Sequence, residues 1–476
     1  DWSSDVCSSD LGKVSPKGTT QNRKVYDRMI KRKIDSYLAD YYTRERNALL
    51  VTGSRQIGKT YSIRQLGKSF TSFVEINFVA SPEAVTIFRE ARNTKDILLR
   101  LSALTSVPLI PGATLIFFDE VQLCPEIVTA IKALVEEGSY RYILSGSLLG
   151  VALQDLRSEP VGYMGVKEMY PLDLEEFFEA VGLQPQVIDS LYECWRERKP
   201  VDPVVHAKMM ELFRLYLIIG GMPAVVAKYL ETNNLQDVLA TQQSILQLYR
   251  RDIAQYAPKE KLEIEEIFDL IPSELNAKNK RFILKRLNEG ARFSRYENRF
   301  VWLARAGVAL PVYNVEEPKV PLRLARSRNL FKLFQSDVGL LAAQYAEGIQ
   351  LRILREDRDI NFGSVYENAI AQELFAHGFA PCYYNSKKQG ELDFLIEQAG
   401  QVLPIEVKSG KDYTSHRALS RILEIEDYDI NEALVLSGGN LSQEGKLLYA
   451  PVYMIMFVRR RELDSLVYRV DLSSIQ

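Results

Sequence analysis

Residues Gly53 to Thr60 read GSRQIGKT, a glycine-rich loop that ends in a lysine and a threonine. The apolar stretch ALLV precedes the loop, and apolar residues at helical spacing follow it. A loop of this kind between a strand and a helix wraps backbone N–H groups around phosphates at the positive end of the helix. Lys59 would reach the outer phosphates, and Thr60 would ligate Mg²⁺. The stretch therefore predicts a site for a nucleoside triphosphate and magnesium.

We expect the nucleotide to be lined by nine consecutive residues, namely Gly53, Ser54, Arg55, Gln56, Ile57, Gly58, Lys59, Thr60 and Tyr61. A second segment, ATLIFFDE, places Asp119 and Glu120 directly after four apolar residues, as at the end of a buried parallel strand. Asp119 would hold Mg²⁺, partly through water, and Glu120 would orient or deprotonate the attacking water. An Asp-Glu pair in this position is also a common helix cap.

A third apolar segment, YRYILSGS, ends in polar residues that include Ser145. A side chain at this position would contact the outer phosphate and respond to its loss, although a simple turn is the alternative. Together with segments 73–78 and 166–172, the sequence contains about five strands that alternate with helical segments. This order predicts a doubly wound α/β domain with its site at the carboxyl edge of the sheet.

The order GSRQIGKT, LIFFDE, YILSGS, MYPLDLEEF and GGMP resembles a group of prokaryotic AAA-type ATP-binding proteins. In that group the C-terminal half is a domain of unknown function, and the resemblance extends from about Met29 to the end of the chain. It implies a P-loop NTPase fold, ATP and Mg²⁺ as ligands, ATP hydrolysis and a helical lid. It also implies an arginine shortly before the strand that leads into the PL motif. This chain has Glu159 and Pro160 there, with Arg157 slightly upstream.

Residues 276–305 form a basic segment in which only Glu289 and Glu297 are acidic. Its basic residues are Lys278, Lys280, Arg281, Lys285, Arg286, Arg292, Arg295, Arg299 and Arg305. A β-hairpin is predicted after it, which gives the outline of a winged helix that would lay a basic helix against DNA. The alternative is a solvated helix face that pairs with the acidic segment EKLEIEEIFD before it.

A second group of chemically active side chains is expected after residue 350. Residues 363–378 predict an amphipathic helix that carries Glu367, and two hairpin strands are predicted to meet at Gly400. Alternation along the second strand puts Glu406 and Lys408 on one face. Asp393, on the neighbouring strand, can converge with them. Two carboxylates can hold a hard cation, and a lysine beside them can stabilise charge during phosphodiester hydrolysis.

This combination resembles the PD-(D/E)XK nuclease superfamily. The resemblance implies a small α/β nuclease-like domain with Asp393, Glu406 and Lys408 as catalytic positions and Glu367 as an accessory acid. A second Mg²⁺ would then be held by Glu367, Asp393 and Glu406. Domains of this type can also keep these residues and serve only as binding modules.

The composition limits the classes of protein and of binding site to which this chain can belong. The formal net charge is only −2, so affinity for nucleic acid would have to come from a local patch. The four cysteines and three histidines are scattered, which argues against a zinc site or a disulfide framework. The longest apolar run, residues 215–227, is shorter than the roughly 20 residues that cross a bilayer. We therefore expect a cytoplasmic protein without a membrane partner.

A length of 476 residues predicts about three domains. Residues 1–28 begin with DWSSDVCSSDL, which resembles a translated sequencing adapter, and we expect them to be non-native. The remaining segments are a P-loop ATPase domain (29–172), a helical lid (173–256), a winged-helix-like segment (257–345) and a nuclease-like domain (346–476).

Three functions fit these expectations. The first is an AAA-type ATPase in which ATP hydrolysis switches or drives the C-terminal half. The second is an ATP-dependent, DNA-binding nuclease that uses residues 276–305 for binding. The third is a nucleotide-gated switch that binds a protein partner and cuts nothing. Assembly into an oligomer stays open in all three.

Overall fold

The computed structural model describes residues 30–147, 162–277, 279–287, 292–346, 348–357, 363–410 and 412–460. In these ranges the strands form two sheets, one of five strands and one of eight. The segment 1–28 that we expect to be non-native lies outside the described residues. So do Arg157, Glu159, Pro160, Lys278 and Glu289.

The first sheet is entirely parallel and has the order β2-β3-β4-β1-β5. Its strands are β1 (Ala48–Thr52), β2 (Ser72–Asn77), β3 (Thr114–Asp119), β4 (Arg141–Ser145) and β5 (Met164–Glu168). Strand β3 is buried along its whole length, as expected for a parallel strand covered on both faces. This is the sheet of a P-loop NTPase, and the predicted fold class is confirmed.

Helices cover both faces of this sheet. They are α1 (Lys33–Arg44), α2 (Lys59–Gly67), α3 (Val85–Glu90), α4 (Thr94–Leu104) and α5 (Glu126–Glu137). Because side chains alternate along a strand, Leu49 and Phe117 pack into one core, whereas Leu50 and Phe118 pack into another. The carboxyl ends of β1 and β3 lie on either side of β4, and this arrangement brings the glycine-rich loop close to Asp119.

A helical region follows the first sheet. Its helices are α6 (Leu174–Ala180), α7 (Pro185–Glu197), α8 (Pro203–Ile219), α9 (Pro223–Thr232), α10 (Leu235–Tyr256), α11 (Lys261–Leu275) and α12 (Phe293–Arg305). Asp173 caps α6 by accepting a hydrogen bond from the backbone of Glu176. In the described part of the chain, no single helix is long and apolar enough to span a membrane. Helices α8 and α9 meet that criterion only as a pair bent by 117°.

The second sheet is mixed and has the order β12-β13-β11-β10-β9-β8-β6-β7. Its strands are β6 (Ala309–Val315), β7 (Arg326–Gln335), β8 (Cys382–Ser386), β9 (Gly390–Gln398), β10 (Gln401–Val407), β11 (Ala433–Ser437), β12 (Ser442–Glu444) and β13 (Leu447–Pro451). The helices in this half are α13 (Val338–Ala342), α14 (Ile349–Arg355), α15 (Gly363–Ala376) and α16 (Arg417–Leu423).

Two features of this half differ from the sequence-based expectation. The hairpin after α12 exists as β6 and β7, but β6 also pairs in parallel with β8, so the hairpin is part of the large sheet. Helix α15 is buried from Ser364 to Leu374 and is not amphipathic. It is covered because it packs against α13 on one side and β6, β7 and β10 on another. One apolar core extends from Leu49 in β1 to Phe394 in β9 and joins the two halves.

Candidate nucleotide-binding site

The glycine-rich loop takes backbone conformations that glycine favours. Gly53 and Gly58 have φ values of 133° and 93°, and a Cβ at Gly53 would stand 2.2 Å from the carbonyl oxygen of Met169. Helix α2 begins at Lys59, and no side chain caps its first turn. The N–H groups at the start of the helix are therefore free to bind phosphate oxygens.

Lys59 lies along the inside of this loop. Its Nζ donates hydrogen bonds to the carbonyl oxygens of Gly53 (3.0 Å) and Ser54 (2.7 Å), and only 8% of the residue is exposed. Burial lowers the pKa of Lys59 to about 8, although the nearby Glu120 and Asp119 carboxylates oppose the shift. The ammonium group is thus held where incoming phosphate oxygens would replace the two carbonyl groups.

The predicted magnesium ligands lie side by side. Thr60 Oγ1 donates a hydrogen bond to Asp119 Oδ2 at 3.0 Å, and Asn77 Nδ2 donates to the same oxygen at 3.0 Å. Ser145 Oγ donates to the other carboxylate oxygen. Burial raises the pKa of Asp119, and the hydrogen bond from Ser145 opposes that rise. A hydroxyl and a fixed carboxylate are the oxygen donors that Mg²⁺ prefers, so this pair fits the ion. Ser145 thus lies against Asp119.

Glu120 has a left-handed backbone conformation, with φ of 58°. Such a conformation is rare for glutamate, and strain of this kind is concentrated at functional sites. Glu120 Oε2 accepts hydrogen bonds from Gln122 Nε2 and from Ser147 Oγ, the latter at 3.4 Å. Sequence reasoning missed both partners, although Gln122 lies only two residues from the carboxylate. The arrangement positions Glu120 at the edge of the pocket.

A cavity of about 470 Å³ opens beside the loop, within the roughly 300–1,000 Å³ typical of small-molecule sites. One part is polar and contains Lys59, Thr60 and Glu120. Another part is formed by residues with apolar surface, including Ile30, Tyr61, Pro223, Ala224 and Ala227. Polar groups for phosphates and an apolar surface for a base are the two requirements of a nucleotide site. The GGMP turn before α9 therefore lies near the loop.

Other predicted residues of the loop lie around this cavity. Arg55, Gln56 and Gly58 line it, whereas the side chain of Ile57 is buried in the core. The carbonyl oxygen of Ile57 accepts a hydrogen bond from Arg32 Nη1 at 2.9 Å. Ile57 therefore shapes the loop through its packing.

Residues distant in sequence cover the outer side of the loop. Arg55 Nη1 lies 2.6 Å from Asp252 Oδ1 of α10, and Tyr249 Oη donates to the carbonyl oxygen of Arg55 at 3.4 Å. A Cβ at Gly307, in the turn before β6, would stand 2.9 Å from the backbone nitrogen of Ser54. The loop is consequently in direct contact with both the helical region and the C-terminal half.

The second group of predicted residues converges around a lysine that sequence reasoning missed. Lys332 is fully buried in β7, and its Nζ lies 2.8 Å from Glu391 Oε1, 3.5 Å from Glu367 Oε2 and 3.9 Å from Asp393 Oδ1. Burial alone would lower the pKa of Lys332, but the nearby carboxylates raise it by more, so the net shift of the pKa is upward. A lysine within the apolar stretch NLFKLF was the available signal.

Glu406 and Lys408 complete this cluster, with Lys408 Nζ 2.8 Å from Glu406 Oε1. Burial raises the pKa of Glu406 to about 8, and the Asp393 carboxylate raises it as well. Lys280 forms a further ion pair with Glu367. Within the described ranges, no group of three or more His, Cys, Asp or Glu side chains is arranged to hold a metal ion. The predicted residues therefore come together around an ammonium group.

Several side chains of the basic segment 276–305 are paired within the chain. Arg299 and Arg295 lie 2.6 and 3.8 Å from Glu263 of α11, and Arg286 lies 2.6 Å from Glu274 of the same helix. The two contacts with Glu263 are the pairing with the acidic segment EKLEIEEIFD that the alternative interpretation expects, whereas Glu274 lies beyond that segment.

Three family models match consecutive parts of the chain. An AAA domain matches residues 45–178, and two domains of unknown function, DUF8612 and DUF4143, match residues 210–351 and 362–453. No curated protein matches the chain.

Similar solved structures include a Walker-type ATPase of Pyrococcus abyssi, which is 13% identical with a TM-score of 0.41. That match covers 66% of this chain and 96% of the other. Another is Cdc6p from Pyrobaculum aerophilum, 12% identical with a TM-score of 0.22, covering 73% and 97% of the two chains.

Proposed function

We propose, from the AAA P-loop ATPase domain formed by residues 45–178, that the protein hydrolyses ATP and that its C-terminal half responds to the nucleotide. The observation that carries the proposal is the position of Lys59, the Thr60–Asp119 pair and Glu120 around one cavity. These are the groups that phosphoryl transfer to water requires.

Each group has a distinct role. The N–H groups at the start of α2 and the Lys59 ammonium bind the phosphate oxygens. Thr60 and Asp119 would hold Mg²⁺, which supplies charge neutralisation for the phosphates when it is bound. Asn77 and Ser145 keep the Asp119 carboxylate oriented through their hydrogen bonds. The charged side chains are thus already in position before the nucleotide binds. Less free energy is then needed to reorient them during the reaction.

Glu120 would orient the attacking water and accept its proton. The water oxygen forms a bond to the γ-phosphorus, the bond from that phosphorus to the bridging oxygen breaks, and ADP leaves with phosphate as the second product. Before water is bound, Gln122 and Ser147 hold the Glu120 carboxylate.

Coupling to the C-terminal half would run through the turn between α8 and α9. A Cβ at Gly58 would stand 3.7 Å from the ring of Pro223 in that turn. On the other side, the backbone N–H of Gly221 donates to Asp337 Oδ2 at 2.6 Å, and a Cβ at Gly220 would stand 2.1 Å from Asp337 Oδ1. A shift of the phosphate loop on nucleotide binding would therefore displace the α8–α9 turn and, through it, Asp337 at the start of α13.

The test is ATP turnover by the protein with Mg²⁺, with Lys59→Ala as the matched control. Turnover that disappears in the variant is expected, and equal turnover in both would overturn hydrolysis at this site. Coupling is tested separately by amide exchange of residues 337–342 with and without a non-hydrolysable ATP analogue. Slower exchange in the presence of the analogue is expected, and unchanged exchange would overturn the coupling.

A nuclease role for the C-terminal half has less support than a role in binding a partner. Lys332 already supplies a positive charge among Glu367, Glu391 and Asp393, where a nuclease would place its metal ion. We expect the protein not to cleave plasmid DNA in the presence of Mg²⁺ or Mn²⁺. Cleavage that is lost in Glu406→Ala would overturn this expectation and assign a nuclease.

A further inference from the structure

A second cavity, of about 330 Å³, lies between α12 and the β6–β7 hairpin. Its wall contains four aromatic rings, from Phe293, Phe300, Tyr313 and Phe331. The rings of Phe300 and Phe293 lie 4.8 and 6.0 Å from that of Phe331, and the ring of Tyr313 lies 5.8 Å from it. Phe300 and Phe331 are buried, whereas Phe293 and Tyr313 are half-buried and present part of their surface to solvent. We call this cavity the aromatic groove.

Three arginines, Arg323, Arg326 and Arg328, lie around the aromatic groove, and among the described residues that line it only Glu297 is acidic. Arg326 is fixed because it donates to Ala380 O at 2.9 Å, and its guanidinium lies 5.8 Å from the centre of the Tyr313 ring.

Arg323 and Arg328 differ from the basic segment on α12. Both are exposed, and neither forms an ion pair with any residue that the structure describes. Arg295 and Arg299, by contrast, are held by Glu263. Arg323 and Arg328 can therefore contact a ligand without first breaking an ion pair to a described residue.

The beginning of α12 adds to this positive charge. Phe293 is the first residue of the helix, no side chain caps the first turn, and that turn contains no acidic residue. The backbone N–H of Arg295 donates to Arg292 O at 3.0 Å, and the partial positive charge of the helix lies beside the ring of Phe293.

We propose that the aromatic groove binds single-stranded nucleic acid. Bases would stack on the accessible surfaces of Phe293 and Tyr313, while Arg323 and Arg328 would contact the neighbouring phosphates. Duplex DNA would bind less well, because its paired bases do not present their faces to side chains. This activity goes beyond the proposed ATP hydrolysis and uses none of its residues.

The test is fluorescence anisotropy of a labelled single-stranded oligonucleotide of about 16 nucleotides, titrated with the full chain. The double variant Arg323→Gln/Arg328→Gln is compared with Arg46→Gln/Arg92→Gln, which removes two exposed arginines from the first domain. We expect the first pair to weaken binding about tenfold or more. We also expect it to reduce the slope of log affinity against log salt by about 1.4, that is about 0.7 for each phosphate contact. The control pair should leave both quantities near their original values.

Stacking is tested by Tyr313→Leu, which keeps an apolar side chain but removes the ring. We expect a loss of roughly 5- to 100-fold in affinity for the oligonucleotide. Thermal unfolding and ATP turnover of each variant identify any loss of folding. The proposal is overturned if the wild-type chain binds duplex as tightly as single strand, if polyglutamate displaces the oligonucleotide at equal concentration, or if both arginine pairs have the same effect. Absence of measurable binding by the wild type overturns it as well.

Discussion

Arg55 Nη1 and Asp252 Oδ1 lie 2.6 Å apart and connect the phosphate loop to α10. Asp252 is buried, whereas a third of the Arg55 side chain is exposed. Burial raises the pKa of Asp252, and the Arg55 guanidinium opposes this rise. The carboxylate thus pairs with an arginine that lines the candidate nucleotide cavity, where it would compete with phosphate oxygens for that arginine.

The competition predicts that Asp252→Asn binds ATP more tightly. Removing the carboxylate frees Arg55 and also removes a negative charge close to the phosphates, so we expect a gain in affinity of up to about tenfold. The measurement is titration with a non-hydrolysable ATP analogue. Arg55→Gln is the control and should bind more weakly than the wild type. Weaker binding by Asp252→Asn would show that the pair supports the bound state.

The pKa of Lys59, lowered by burial to about 8, predicts a pH dependence of nucleotide binding. Below pH 8 the free protein already carries the ammonium group, so affinity should be flat. Above pH 8 the lysine is neutral and must take up a proton before it can bind phosphates, so affinity should fall, approaching about tenfold per pH unit. Calorimetry in two buffers of different ionisation enthalpy measures this proton uptake. Lys59→Arg stays charged and should show no such fall.

Glu120→Gln should separate binding from hydrolysis. The amide keeps the size of the side chain but accepts no proton, so we expect turnover to fall by about 10²- to 10⁴-fold while the dissociation constant for ATP changes little. Single-turnover kinetics with labelled ATP gives the rate of the chemical step. Unchanged turnover would mean that another group directs the water.

Gly220→Ala should destabilise the protein more than Gly112→Ala. The two glycines have similar φ values of 72° and 78°, but a Cβ at Gly220 would stand 2.1 Å from Asp337 Oδ1, whereas one at Gly112 would meet nothing within 4 Å. The backbone strain is therefore similar, and the difference reports the clash. We expect Gly220→Ala to lower the free energy of unfolding by about 1–3 kcal/mol more than Gly112→Ala, as measured by urea denaturation. Equal losses would show that the turn can move away from Asp337.

Lys332→Met should destabilise the protein because the nearby carboxylates would lose their buried positive partner. Without the ammonium group, Glu367, Glu391 and Asp393 repel each other, and we expect a loss of about 3–5 kcal/mol in the free energy of unfolding. Adding Glu367→Gln to this variant should restore part of the stability because it removes one of the repelling charges. Equal stability of the single variant and the wild type would show that the ammonium group is not needed to stabilise this cluster.

The sequence contains the phosphate loop and the Asp119–Glu120 pair as short continuous motifs, and the structure places them together because the parallel strands of one sheet end at the same edge. The contacts of Asp252 and Gly307 with the loop have no such signal. They depend on packing, which brings a helix and a turn about 200 and 250 residues away in sequence against the loop. The same holds for β6, which was predicted as half of a hairpin. Its second neighbour, β8, is joined in parallel through a long connection, and that pairing leaves no local pattern.

The pairing of β6 with β8 crosses the border between the two domains of unknown function, since one family match ends at residue 351 and the next begins at residue 362. A fragment limited to residues 362–453 would present β8 as an open edge, with unpaired backbone groups and the buried ring of Tyr383 exposed to solvent. Such a fragment should aggregate. The two stretches are distinguishable as units of sequence, yet they share one sheet, and each would leave a strand edge unpaired without the strand that the other supplies.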